Sequence, residues 1–384
     1  MKSIQELEVK GKRVLVCGAC DVPLDDQGSI ADDSRLRGLV PTLLFLQSKQ
    51  AKTIVMGHVG RPKGRDPKYS MKVVADGLSK LMKQDVAFAS DCVGPIAEKA
   101  VADLKPGGIL VVENVRYHEG EEKNDPVFVE ALCSLADYYV NDDFPDCHRE
   151  YASTAGVPSK LPSAAGFQLL KELHAFKKLE NPKRPYAVLI GGAKTDKITV
   201  VEKLAQKADM VLLAGVLANT FLAARGVKIG ASKFDAEGVP LAKQILEKYG
   251  DKILLPEDAV VAQSFDANAH SRISNVRNLN PGDVILDIGH LTIESYARVI
   301  EASETVVWAG PIGRFEWPRF REGTDAIAHV MAGTKAFTLI GGGDSGDAVD
   351  MLGLAAKMGH VSTGGGASLM LLSGQALPGV VALR

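Results

Sequence analysis

Basic side chains collect at a few places in the first half of this chain. Arg35 and Arg37 follow an Asp-Asp-Ser turn. His58 and Arg61 come just after the apolar run Thr53–Met56, Arg116 and His118 after Ile109–Val112, and His148 and Arg149 after Tyr138–Val140. A guanidinium binds carboxylate or phosphate through a planar fork of donors. One such residue is an ordinary solvated charge, but repetition after several buried runs describes a pocket for a small polyanion. The second half places glycines instead. Gly191-Gly192-Ala193-Lys194, Gly341-Gly342-Gly343-Asp344-Ser345 and Thr363-Gly364-Gly365-Gly366 each close an apolar stretch. Glycines let backbone N–H groups approach phosphate at the start of a helix. Lys194, Lys197 and Asp344 add the charges that a nucleotide phosphate site needs. Asp344 is a candidate ligand for a hard cation such as Mg²⁺, and equally a candidate N-cap for the next helix. No Gly-x-x-x-x-Gly-Lys-Ser/Thr loop occurs, so this is not a P-loop chain.

The elements that must hold these residues alternate. Val14–Val16, Thr53–Met56, Ile109–Val112 and Tyr138–Val140 read as buried strands. So do Ala187–Ile190, Val211–Leu213, Lys252–Leu255, Val284–Leu286, Thr305–Trp308 and Phe337–Ile340. Segments of helical spacing lie between them, as at Val74, Leu78 and Leu81. Alternation of this kind predicts an α/β fold with two parallel sheets covered by helices on both faces. Ligands bind such sheets at the carboxyl ends of their strands, which is where the basic and glycine-rich residues fall. A helical stretch over Leu169–Leu179 runs into Asn181-Pro182-Lys183-Arg184-Pro185, a break that reads as a hinge between two domains. An anion pocket in one half and a phosphate site in the other predict a two-substrate kinase that closes around that hinge.

Composition narrows the class. A chain of 384 residues has room for two domains, and its 46% apolar and 24% charged content is that of an ordinary globular protein. The net charge of −2 offers no bulk basic surface for nucleic acid or an anionic membrane. Met1 to Lys12 has no apolar core of a signal peptide, and no run is long enough to span a membrane. The five cysteines, Cys17, Cys20, Cys92, Cys133 and Cys147, do not form a disulfide framework, so a reducing cytoplasm is expected.

Taken in order, several stretches carry a family likeness. They include Lys12-Arg13-Val14-Leu15-Val16, Asp21-Val22-Pro23-Leu24-Asp25, His58-Val59-Gly60-Arg61-Pro62-Lys63-Gly64 and Glu113-Asn114-Val115-Arg116. Further along come Gly191-Gly192-Ala193-Lys194, Ala218-Asn219-Thr220-Phe221, Gly341-Gly342-Gly343-Asp344 and Ser362-Thr363-Gly364-Gly365-Gly366-Ala367-Ser368. Over nearly the whole length the chain resembles phosphoglycerate kinase. The resemblance implies two Rossmann-like lobes joined by a helical hinge: an acidic-substrate lobe over 1–168, a hinge over 169–184, a nucleotide lobe over 185–365 and a tail over 366–384 that returns to the first lobe. It implies that Asp21, Arg35, His58, Arg61, Arg116 and Arg149 bind phosphoglycerate. Arg35 and Lys194 are then the pair that neutralises the phosphoryl group in flight. Lys194, Lys197, Gly215, Glu316, Gly342, Gly343, Asp344 and Ser345 hold the nucleotide, with Glu316 on the ribose and Asp344 serving Mg²⁺ with ATP or ADP. The implied partners are small molecules alone, acting on a cytoplasmic monomer.

The chain also departs from the family pattern. Where the family usually reads Arg-Val-Asp-Phe-Asn, this sequence has Cys17-Gly18-Ala19-Cys20-Asp21. Where it usually reads Asn-Asp-Ala-Phe-Gly-Thr-Ala-His-Arg, this sequence has Asn141-Asp142-Asp143-Phe144-Pro145-Asp146-Cys147-His148-Arg149, placing two extra carboxylates beside the basic patch. One residue is missing between Lys194 and Lys197, which on a helix rotates all later residues by about 100°. Val216, Ala309, Arg314 and His290 replace a glycine, an asparagine, a small apolar residue and a proline. Three readings result: a working phosphoglycerate kinase with an unusual pocket, a related kinase with another acceptor or donor, and a non-catalytic binding or sensing relative. The surviving Arg35, Lys194 and Asp344 favour the first. Asp143 or Asp146 as a base toward a hydroxyl acceptor would serve the second. Cys17-x-x-Cys20 as a metal or redox pair would serve the third, although small apolar packing is the simpler role for these cysteines.

Overall fold

A computed structural model describes residues 1–192 and 197–383, with the side chain of Lys197 outside the description. The chain divides into two units, one built from Met1–His174 and the residues from Ala376 on, the other from Ala175–Gln375. Helix Phe167–Lys177 contains the division.

The first unit is built on a six-stranded parallel sheet. Its order is Ala87–Ala89, Ile109–Val112, Lys52–Met56, Arg13–Gly18, Tyr138–Asp142, Ser163–Ala165. The central strands are continuous apolar runs because helices cover both faces. Helix Ser34–Ser48 shows why the sequence settles this way. Leu36, Leu39, Leu43 and Leu46 recur at spacings of three and four and are all buried, in one core with Val14, Val16 and Val55. Burying each such leucine is worth about 1.5–3 kcal/mol. The same packing fixes the first turn of the helix, which carries Arg35.

The second unit has its own six-stranded parallel sheet. Its order is His360–Val361, Phe337–Gly341, Thr305–Ala309, Tyr186–Ile190, Met210–Leu213, Ile253–Leu254. Trp308 lies fully buried at its centre and donates its indole N–H to the Gly310 carbonyl at 2.8 Å. The α/β class with two parallel sheets is as the alternation predicts. One strand departs from it. Val284–Ile288 joins Asp258–Ala262 and Ser271–Asn275 in a small antiparallel sheet rather than in the parallel one.

Three buried carboxyls show what the packing costs. Burial pushes Glu121, Asp142 and Asp287 up to about 7. Asp142 accepts from the Leu169 backbone N–H through one oxygen, while its other oxygen is buried without a partner. The folded chain therefore keeps a proton on Asp142 over a range where the unfolded chain has released it. Stability contributed by this group is full below about pH 4 and falls as pH rises toward about 7. Asp142→Asn keeps the acceptor and removes the ionisation. It should match the parent chain near pH 4 and exceed it at pH 8 on the order of a few kcal/mol. Thermal melts across that range check this, and parallel curves for the two proteins would refute it.

Candidate active site

In the first unit the basic residues come together around a carboxylate of the chain itself. Strand Tyr138–Asp142 passes into a short 3₁₀ turn, Phe144–Asp146, and the turn presents Asp146 to the cluster. Its Oδ2 lies 2.6 Å from His58 Nε2 and accepts from Arg116 Nη2 at 3.0 Å; its Oδ1 lies 3.1 Å from Arg149 Nε. Burial opposes its charge, but the hydrogen bond from His58 and the charges of His58, Arg116 and Arg149 outweigh that and hold Asp146 well below the usual carboxylate range. Arg116 also donates to the Gly60 carbonyl at 3.1 Å, and Arg149 to the Tyr151 hydroxyl at 2.9 Å. Both guanidiniums lie over the Tyr151 ring.

Asp21 forms a second internal contact. Its Oδ1 accepts from the Gly60 N–H at 2.7 Å, and its backbone carbonyl accepts from Arg35 Nη1 at 2.5 Å. Its carboxylate lies 3.8 Å from Arg35 and 3.9 Å from His58. Arg35 keeps 29% of its side chain exposed. Arg61 is exposed and makes no ion pair among the described residues, so the structure does not draw it into the cluster.

The two extra carboxylates part company. Asp143 is buried, and burial followed by the charge of Asp146 raises its pKa well above the usual carboxylate range. The Cys17 thiol lies 3.9 Å from it. Cys17, Cys20 and Cys147 are free and buried, and burial raises all three thiols. Cys20 packs in the apolar core, while the Cys17 and Cys147 thiols donate to Asp143, and burial disfavours the thiolate form of all three. His118 pairs with Asp91 at 2.8 Å, and His148 donates its Nδ1 proton to the Pro145 carbonyl at 2.8 Å, so neither joins Asp146.

In the second unit a cavity of about 450 Å³ opens at the carboxyl ends of the parallel strands. Gly215, Glu316, Gly342, Gly343 and Asp344 are among the residues that line it. Gly215 has φ +61°, and a Cβ there would meet the Gly192 amide nitrogen at 3.0 Å. At Gly342 a Cβ would stand 2.4 Å from the Ser362 carbonyl oxygen, so the backbone at Ser362–Gly364 can lie this close only because residue 342 has no side chain. Helix Asp344–Met351 starts at the cavity with Gly343 as its cap, so Asp344 is not spent as the N-cap and stays exposed at the wall. Its hard oxygen donors fit a divalent cation held with nucleotide phosphates.

Ser345 behaves differently from the expectation. It is fully buried, and its hydroxyl accepts from the Gly310 backbone N–H at 2.7 Å, so it braces the turn and does not reach the cavity. Lys194 lies outside the described residues, as does the shortened spacing before Lys197. Lys197 itself opens helix Lys197–Lys207. Phe265 and Lys233, which no motif or spacing singles out, also line the cavity. Arg314 lies against the Phe265 and Trp317 rings, 5.0 and 4.8 Å from their centroids, and 3.9 Å from Glu316. The antiparallel sheet supplies one wall through Ala259, Val284 and Leu286.

Comparison with known proteins gives a consistent result. The family model described as Phosphoglycerate kinase matches residues 4–375. A phosphoglycerate kinase of Moorella thermoacetica is 47% identical, covering 99% of this chain and 98% of its own. A cytosolic phosphoglycerate kinase of Triticum aestivum is 46% identical, with 99% and 97% covered. Among solved structures, the phosphoglycerate kinase of Pyrococcus horikoshii superposes with a TM-score of 0.89 at 30% identity, covering 100% of this chain and 98% of its own. That of Coxiella burnetii gives 0.87 at 34%, with 99% and 98% covered.

Proposed function

Since the chain belongs to the phosphoglycerate kinase family, a kinase with a carboxyl group as acceptor, we propose that it interconverts 3-phosphoglycerate and ATP with 1,3-bisphosphoglycerate and ADP in glycolysis, with its two units holding one substrate each. The observation that carries this is the pairing of a basic cluster at strand ends in one unit with a glycine-lined cavity at strand ends in the other. Within the proposal the boundaries are 1–168 for the acceptor unit, 169–184 for the hinge, 185–365 for the nucleotide unit and 366–384 for the tail.

A carboxylate oxygen of 3-phosphoglycerate attacks the γ-phosphorus of ATP, and the bond to the ADP oxygen breaks. The carboxylate carries no proton, so no general base is required. The protein positions the two reactants and offsets charge on the phosphoryl group in flight. Arg35 does so from the acceptor side, pre-oriented by the Asp21 carbonyl, and Lys194 from the nucleotide side. His58, Arg61, Arg116 and Arg149 hold the acceptor's far end. In the cavity, Gly342 and Gly343 let backbone amides approach the phosphates, Lys197 adds charge, Glu316 takes the ribose and Gly215 lets the base lie close. Mg²⁺ bound with the nucleotide would neutralise phosphate charge, and Asp344 would hold it. The substrates are small molecules, and the protein works as a cytoplasmic monomer, in keeping with the cytosolic relatives and with the lack of any helix, among the described residues, long and apolar enough to cross a membrane.

The alternative of a hydroxyl acceptor loses its base. Asp143 is buried, with burial and the Asp146 charge disfavouring its ionisation, and Asp146 is held by three basic partners. Calorimetric titration tests the two-site reading. Each substrate should bind the full chain alone with one-to-one stoichiometry, 3-phosphoglycerate competing with inorganic phosphate and ATP with ADP. Failure of 3-phosphoglycerate to bind at millimolar concentration would remove it as the acceptor.

A further inference from the structure

A receptor for an anion should offer its donors to the ligand, and in the first unit three of the basic residues are instead paired with a carboxylate of the chain itself. His58 and Arg116 direct donors at the Asp146 carboxylate, at 2.6 and 3.0 Å, and Arg149, whose Nε donates to His148 Nε2, forms an ion pair with it at 3.1 Å. The Arg116 side chain is only 3% exposed and that of Asp146 12%. Nδ1 of His58 and Nε of Arg116 are buried without a hydrogen-bond partner, and the Arg149 side chain is part-exposed. The contact is built by local chain geometry. Asp146 closes the 3₁₀ turn, its carbonyl accepts the Arg149 N–H at 3.0 Å, and Pro145 occupies the turn beside it. The carboxylate is thus held against the cluster by the backbone that leads into one of its own partners. Charge-assisted bonds of this kind are the strong class, and the turn tethers their acceptor at a high local concentration.

We propose that Asp146 is a tethered competitor for the acceptor's phosphate group and is the residue that sets how sharply this chain distinguishes phosphorylated from unphosphorylated hydroxy acids. A phosphate can reach His58, Arg116 and Arg149 only by displacing Asp146 or by lying beside a fixed negative charge. The acceptor's carboxyl end is handled elsewhere, at Arg35, and is not subject to this competition. The chain therefore accepts 3-phosphoglycerate with a reduced preference over glycerate, which lacks the phosphate. This rests on the acceptor reading above and names the residue that limits it.

Calorimetry on the full chain tests it with three probes: inorganic phosphate, 3-phosphoglycerate and glycerate. The parent chain should bind 3-phosphoglycerate no more than about tenfold tighter than glycerate. Asp146→Thr and Asp146→Asn should each tighten phosphate and 3-phosphoglycerate by about tenfold or more, the ratio expected when a charge-assisted donor is freed, and leave glycerate within about twofold. Because either substitution leaves basic groups without their counter-charge, melting temperatures with and without phosphate accompany the titrations. Phosphate should raise the melting temperature of the variants more than that of the parent. A parent chain that already prefers 3-phosphoglycerate by more than about a hundredfold would overturn the proposal. So would folded variants with unchanged affinity for all three probes, or with equal gains for all three. Tighter phosphate binding by variants that transfer no phosphoryl group would sustain the competitor and refute the kinase reading. Rapid transfer by the parent with no change in the variants would do the reverse.

Discussion

Arg35→Ala is expected to lower turnover with 3-phosphoglycerate and ATP on the order of 10²–10³-fold while leaving the fold intact. Position is the first reason. Arg35 sits in the first turn of helix Ser34–Ser48, and the neighbouring Leu36 and Leu39 bury the opposite face, so the backbone under it is fixed by packing that alanine does not disturb. The guanidinium is part-exposed and is oriented by the Asp21 carbonyl at 2.5 Å. It therefore needs little reorganisation to meet charge that develops on a transferring phosphoryl group, which is the condition under which a single donor has its largest effect on rate. Its loss should appear mainly in kcat, with a smaller rise in KM for the acceptor. The melting temperature should change little. A variant with unchanged kcat would remove Arg35 from the chemistry, and a variant that melts many degrees lower would reassign it to structure.

The second large effect is a gain. Restoring Asp at position 19 and Asn at position 21 together should raise kcat/KM with 3-phosphoglycerate by roughly tenfold or more, from a recovered hydrogen bond and a removed like charge. Asp21 now places a carboxylate 3.9 Å from His58 and 3.8 Å from Arg35, where it repels an anionic ligand. Asparagine keeps an oxygen for the Gly60 N–H that Asp21 binds at 2.7 Å, so the loop has no reason to move. Position 19 is harder, because Ala19 is only 5% exposed and an aspartate there must find partners in a tight space. The two sites lie near one another in sequence, so the double variant should exceed the sum of the single ones. Steady-state kinetics on both singles and the double form a complete cycle. No gain, or a loss of native activity, would mean that the pocket has been rebuilt for another acceptor.

The buried parallel strands were legible because a strand covered on both faces needs an unbroken apolar run, and Val14–Val16, Ile109–Val112 and Ala187–Ile190 supply one. Two of the missed strands lack that signal, although Asp258–Ala262, which is buried throughout, carries it and was still not singled out. Ser163–Ala165 is three small residues at a sheet edge, and Ser271–Asn275 is polar and mostly exposed. Val284–Leu286 has the apolar composition of a core strand yet pairs antiparallel, and composition cannot report the direction of a partner. The site divides similarly. The glycine-rich turns pointed to Gly342 and Gly343 because backbone approach leaves a residue-type record, whereas Gly215 came only with the family resemblance. Phe265 and Lys233 come from loops, where no periodicity constrains a side chain. The types and order of His58, Arg116 and Arg149 pointed to an anion pocket, but only the turn at Phe144–Asp146 decides that Asp146 faces them. Ser345 illustrates the converse, since its place after Gly343-Asp344 made it a ligand candidate and the fold turns its hydroxyl to Gly310.

The most direct test of a carboxyl-directed kinase is phosphoryl transfer itself. Purified full-length protein, MgATP labelled at the γ-phosphate and 3-phosphoglycerate should yield ADP and an acid-labile acyl phosphate that carries the label, with ADP formation dependent on 3-phosphoglycerate. A coupled assay that removes 1,3-bisphosphoglycerate should drive the reaction to completion. Label found only in inorganic phosphate, or no ADP above the rate without acceptor at any nucleotide tried, would contradict a kinase that acts on the carboxyl group of 3-phosphoglycerate.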